Sequence, residues 1–131
     1  MFEKEYLKVL STPSAIQIGG LTFMDIEVAD DPKSLARGLM LRDDVPDDFC
    51  MLFKFDDERP RSFWMKNCRF PIVVVFLDKD YNIVSWHRMK VEEGPAFKSY
   101  LSGKPAMYAI EFKDSRDEYD IMIGQQIVFQ V

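Results

Sequence analysis

The sequence predicts a mainly β domain of β-rich α+β type: an antiparallel sandwich or jelly-roll-like barrel with one short helix near residues 32–41. Three observations point there. Apolar runs of strand length recur at close spacing from residue 21 to the end of the chain, as in sandwiches and barrels. Eleven Phe, five Tyr and two Trp make the chain aromatic-rich, and aromatic side chains fit a pleated, half-buried surface well. A single segment joins helix-start signals to a helical apolar stripe. At 131 residues the chain is long enough to bury about two thirds of its unfolded surface without disulfides or metal.

Taken in order, residues 5–19 read as a short strand pair, broken at Ser11-Thr12-Pro13-Ser14 and closed by Gly19-Gly20. Residues 1–20 are thus expected to form an N-terminal extension, and residues 21–131 a single domain. That domain opens with a strand at 21–29, where Phe23, Asp25 and Glu27 alternate with Met24, Ile26 and Val28. In the helix, Asp31 is the N-cap, Pro32 presets the first turn, and Leu35, Leu39 and Met40 share one stripe. So short a helix is held by packing rather than propensity.

Strand signals follow at 49–55, 61–66, 71–77, 82–88, 107–112 and 126–131. Residues 72–77 are apolar at every position, as in a central strand buried on both faces. Asp78-Lys79-Asp80-Tyr81-Asn82 reads as a hairpin turn with Tyr81 where Gly would suit a left-handed residue, a strain of about 1–2 kcal/mol. The connection 90–105 carries Gly94-Pro95, Ser99 and Gly103 and is long for a structureless link. Phe97 and Tyr100 within it either fold over something or cap the end of the sandwich.

A net charge of -5 and a pI near 4.9 oppose nonspecific binding to nucleic acid or an anionic membrane, so neither is an expected partner. Cys50 and Cys68 lie far apart with no His beside either, which is no zinc pattern; buried free thiols are the expectation. The paired carboxylates and Asp56-Asp57-Glu58 fall at predicted loops and helix starts, where capping and solvation account for them. No calcium-loop spacing, phosphate loop or dinucleotide fingerprint occurs, so no metal and no cofactor is expected. The start Met1-Phe2-Glu3-Lys4-Glu5 lacks a signal-peptide pattern and no run reaches the ~18 apolar residues of a membrane span, so the expected location is a reducing cytoplasm.

The run Ser62-Phe63-Trp64-Met65-Lys66-Asn67 sets a Trp, a Lys and an Asn in an otherwise apolar segment. Strand alternation turns Phe63 and Met65 to the core and Trp64 and Lys66 to the other side. A Trp face beside an ammonium and an amide can stack a flat ligand, hold a sugar or recognise an anion. Equally, Trp64 can lie half-buried under the Lys66 stem with no ligand. His87, the single histidine, shares a predicted face with Ser85, but no nucleophile-elbow pattern supports a Ser-His hydrolase. Glu111 interrupts an apolar run; it either faces a sheet edge or pairs with Lys66, Arg37 or Arg42 near a pocket.

Ala36-Arg37-Gly38-Leu39-Met40 with Arg42, Met51-Leu52-Phe53, the Ser62–Asn67 run, Pro71, Phe76-Leu77-Asp78 and Pro105-Ala106-Met107-Tyr108-Ala109-Ile110-Glu111 together resemble domain-of-unknown-function family 192. The resemblance spans about 21–131. It implies a compact β-rich sandwich or jelly roll with one short helix and brings no established reaction. It also implies Arg37, Arg42, Trp64, Lys66, Asn67 and Glu111 as candidate pocket residues. The chain departs from the family pattern at Cys50 and Tyr81, where Gly is usual, at Val73, where Asp is usual, and at Gly124-Gln125, where Gly-Asp is usual. Val73 would remove an acid or metal ligand near the Trp-Lys-Asn run. Relatives often carry an export or lipoprotein signal, so a cytoplasmic or virus-encoded relative fits this start.

The preferred functional expectation is a non-enzymatic binding module for a small polar ligand or a protein partner, around Trp64, Lys66 and Asn67 with Arg37 or Arg42. One alternative is a small hydrolase or transferase using Lys66, His87 or Glu111 as acid or base, which requires two of these within hydrogen-bond reach. Another is a structural or interaction protein with an aromatic interface.

Overall fold

The computed structural model describes residues 12–130, so the first half of the predicted N-terminal strand pair lies outside the described residues. Strands β1 (Ala15–Ile18), β2 (Leu21–Phe23) and β3 (Asp25–Ala29) lead into helix α1 (Pro32–Arg37). Strands β4 (Phe49–Phe63), β5 (Ile72–Leu77), β6 (Ile83–Met89), β7 (Tyr100–Lys113) and β8 (Val128–Gln130) follow. They form two sheets, one of three strands in the order β2-β1-β8 and one of five in the order β3-β4-β7-β5-β6. Among the described residues the fold is therefore mostly β with one short helix, as expected, and the strands do not close into a barrel.

One pairing departs from the antiparallel expectation. β3 and β4 run parallel, Asp25 opposite Phe49 through Ala29 opposite Phe53. Parallel neighbours need a crossover, and α1 with the turns after it supplies one. The predicted strand 21–29 divides at Met24, where the chain leaves one sheet for the other; the backbone N–H groups of Met24 and Asp25 both donate to Asp48 O at 3.1 Å.

β4 and β7 form a long pair that merges two predicted strands and absorbs residues 100–105 of the predicted 90–105 connection. The segment 56–60, read as a loop from its charges, stays extended across two irregularities in register. Its charges satisfy one another in solvent: Asp57 pairs with both Arg59 and Arg61, and the Arg61 guanidinium lies 4.0 Å over the Phe55 ring. The connection from β6 to β7 shrinks to residues 90–99.

β5 matches its reading throughout, each of its six residues being buried. Alternation divides it: Val73, Val75 and Leu77 face a core shared with Ile16, Ile18 and Phe23 of the small sheet. Ile72, Val74 and Phe76 face a second core with Leu39, Met51, Phe53 and Met65. Tyr81 adopts φ 65°, as the turn requires, yet is buried. Its ring stacks on Tyr108 at 4.5 Å, and its hydroxyl donates to the Tyr108 hydroxyl at 3.2 Å. Those contacts hold an L residue in a conformation that glycine adopts more readily.

The helix begins as predicted, with the Asp31 carboxylate accepting from Ser34 N–H at 2.8 Å and the Ser34 hydroxyl accepting from Asp31 N–H at 3.3 Å. It ends earlier than predicted. Gly38 turns to φ 51° while its N–H still donates to Ser34 O, so Leu39 and Met40 lie in the turn beyond. A side chain at Gly38 would also crowd the Phe53 ring, which would be 3.3 Å from a Cβ there.

Candidate functional site

The small sheet packs over one face of the large sheet and buries its core there. The other face is covered by α1, the turns around it and the segment 64–70, and between α1 and the β4–β7 strands lies a cleft of about 500 Å³. Leu35 and Met40 form its helix-side wall, and Phe53, Phe55 and Phe63 its sheet side. Phe53 lies between 5.0 and 6.4 Å from the other two rings, centroid to centroid, which makes a continuous aromatic surface. Trp64 stands at the mouth, 47% exposed.

One charged side chain reaches this apolar cleft from below. Glu111 is on β7, opposite Met51 of β4 and Val74 of β5, so it occupies the middle of the sheet and not the edge that its charge suggested. It is 6% exposed. Among the described residues no hydrogen bond or ion pair reaches its carboxylate; the anticipated partners Lys66, Arg37 and Arg42 do not contact it. Burial accordingly disfavours the charged form and pushes its pKa up to about 8. Cys68 also lines the cleft, and burial, with Glu111 adding negative potential, raises its thiol to about 11. At neutral pH both groups are chiefly protonated, so the site has little charge of its own.

The Trp-Lys-Asn run is divided by its backbone. β4 ends at Phe63, and Met65 to Cys68 form a turn closed by Cys68 N–H donating to Met65 O at 3.1 Å. Phe63 and Met65 pack into the core as predicted, Met65 completely. Trp64 faces the cleft, with Phe97 edge-on to it at 5.8 Å and the Lys66 ammonium 5.3 Å from its ring centre. Phe97 thus folds against Trp64, whereas Tyr100 is buried in the core. Lys66 lies outside the cleft lining. Asn67 serves the backbone: it takes φ 60°, and its carbonyl accepts from Leu41 N–H at 2.8 Å.

Arg37 is exposed on the cleft rim. Arg42 is turned away and forms a two-pronged pair with Glu27. His87 is held by Leu101 O at 2.7 Å, and the Ser85 hydroxyl donates to Ser102 O at 2.7 Å, so each is engaged by β7 backbone and not by the other. Cys50 and Cys68 are buried free thiols, as read. Val73 faces the sealed core, opposite the cleft; the Asp usual in relatives therefore maps away from the Trp64 side, which corrects the inference that its loss depletes this cleft. Sequence reasoning missed Gly38, Phe53, Phe55 and Cys68, and the one signal available was the Gly in Arg37-Gly38-Leu39, a glycine at a close approach.

The model of the family DUF192, described as "Uncharacterized ACR", matches residues 14–129. The chain belongs to this family. This DUF192 member is similar to a crystal structure described as "a putative transcription regulator" from Sinorhizobium meliloti 1021, with 26% identity, 91% of this chain and 95% of that chain covered, and a TM-score of 0.72. A protein of unknown function from Novosphingobium aromaticivorans DSM 12444 shares the fold at 20% identity and a TM-score of 0.66, over 76% of this chain and 71% of that one. No curated protein matches the sequence. No helix among the described residues is long and apolar enough to cross a membrane.

Proposed function

We propose that this DUF192 domain is a non-enzymatic binding module whose site is the cleft between α1 and the β4–β7 strands. One observation carries the reading: a buried, unpartnered carboxyl at the floor of an aromatic-walled cleft with an exposed Trp at its mouth. Apolar walls supply affinity by losing water, and a single polar group fixes orientation. The ligand that fits has an apolar body and one polar end.

Three features weigh against catalysis by these side chains. Cys68, with its thiol pushed to about 11, carries little of the thiolate a nucleophile needs. His87 is tied to a backbone carbonyl. Among the described residues no hydrogen bond joins Glu111 to Lys66 or His87, whereas acid–base work requires a second group within reach.

The test is the Trp64 indole N–H resonance, assigned by comparison with a Trp64→Ala variant, during titration with small aromatic compounds. It should shift saturably, while the Trp86 resonance, on β6, should stay in place. Trp64→Ala should remain folded, since half of that side chain is already in water, and should bind at least about tenfold more weakly, the equivalent of ~1.4 kcal/mol. A saturable response confined to Trp86 would place binding elsewhere and end this reading.

A further inference from the structure

We propose that the polar end of the ligand is an ammonium group, so that the cleft selects apolar primary amines and Glu111 is their counter-charge. The inference rests on the reading of the cleft as a ligand site.

The groups around Glu111 narrow the choice. From the segment after β4 it meets Cys68, a neutral thiol at pH 7. From α1 the cleft receives Arg37, whose side chain is exposed at the rim. The remaining walls are almost wholly apolar. On the helix side Gly38 leaves the carboxyl uncovered: a Cβ there would be 3.5 Å from Glu111 Oε1. An anionic head placed at this floor would meet a protonated carboxyl and a neutral thiol, and would leave its own charge buried without a cation at the floor to offset it. A neutral head would gain an ordinary hydrogen bond. An ammonium alone brings a positive counter-charge that lets the buried carboxyl ionise, and a hydrogen bond between opposite charges is roughly twice as strong as a neutral one.

The walls suit the same group. Aromatic faces attract cations, and Lys66 already holds its ammonium 5.3 Å from the Trp64 ring centre at the mouth. The rings of Phe63, Phe55 and Phe53 line the same cleft as Glu111. Proton balance follows. Near pH 7 Glu111 carries its proton, so forming the ammonium–carboxylate pair releases that proton to the buffer. The amine itself stays protonated throughout.

The experiment uses the full chain with three probes of one shape: phenethylamine, 2-phenylethanol and 3-phenylpropionate. Affinities come from the Trp64 indole resonance, and proton release comes from calorimetry at pH 7 in two buffers of different ionisation enthalpy. Phenethylamine should bind at least about tenfold more tightly than 2-phenylethanol, with close to one proton released, and 3-phenylpropionate should bind least. Glu111→Gln, with its fold checked by thermal melting, should retain the alcohol and lose both the amine preference and the proton release. Equal affinity of amine and alcohol in the native protein, or proton release that survives in Glu111→Gln, overturns the amine inference while leaving the cleft as a site. A native protein in which none of the three probes moves the Trp64 resonance at millimolar concentration overturns both.

Discussion

The two faces of the five-stranded sheet are built from alternate residues of the same strands yet meet different fates. On β7, Ile110 and Phe112 enter a core sealed by β1, β2 and β8, where even the polar atoms of Tyr81 and Tyr108 satisfy each other. Glu111, between them in sequence, enters the face covered by a six-residue helix, its flanking turns and the short segment after β4. A sheet seals what it covers because it presents a continuous surface, whereas one short helix covers a strip and leaves a gap beside it. The difference teaches where chemistry is available in this fold: a carboxyl is useful only on the incompletely covered face, where a ligand can reach it.

The largest expected effect compares the two faces directly. Phe112→Ala, on the sealed side against Phe23 at 4.7 Å, should cost ~3–5 kcal/mol in urea unfolding. Phe55→Ala, on the half-buried cleft wall, should cost roughly half as much or less, in proportion to the area it buries. Equal losses would mean that the cleft wall is as tightly packed as the sealed core, and the contrast would fail.

Next comes the pH dependence of stability. The folded pKa of Glu111, about 8, lies above its ordinary value of 4.5, so within that window the folded state binds a proton that the unfolded chain has lost. Stability contributed by this group therefore falls as pH rises from about 4.5 to about 8 and is constant beyond, with a limiting slope near 1.4 kcal/mol per unit. Glu111→Gln should remove that slope, giving a thermal midpoint flatter between pH 5 and 8 and higher than the parent's at pH 8. A parent protein without the slope would mean that water solvates Glu111 through the cleft and that burial does not disfavour its charged form.

The smallest effect belongs to the sealed side. Tyr81→Phe keeps the ring stack and removes one donated hydrogen bond, so a loss of about 1 kcal/mol is expected from denaturant midpoints. No change at all would show that water reaches the pair and replaces the bond.

Much of this architecture was readable in one dimension. The uninterrupted apolar run of β5, the Asp31 cap, the left-handed Tyr81 and the division of Phe63 and Met65 from Trp64 follow from local rules of alternation, capping and turn geometry. Other features were not. The exposed segment 56–60 looks like a loop because its charges suit solvent, yet it stays extended as a bulged part of β4 that rejoins β7 at Arg59 and Pro60. Lys66 and Asn67 were assigned to a strand, but the Met65–Cys68 turn removes them from the cleft lining and gives Asn67 a backbone role. Arg42 belongs with Glu27, a partner on a different element that its own neighbours in sequence do not announce.

By itself the sequence determined the family, the β-rich class and the positions at which local chemistry allows little choice. Those are decided by interactions among near neighbours, and near neighbours are visible in a sequence. Only the tertiary structure decided that Glu111 occupies a central strand, that Gly38 leaves its carboxyl open, and that Val73 faces the opposite side of the sheet. Solvation is the reason: what an ionisable group does depends on which distant segments exclude water from it, and that is set by strand order and layer coverage.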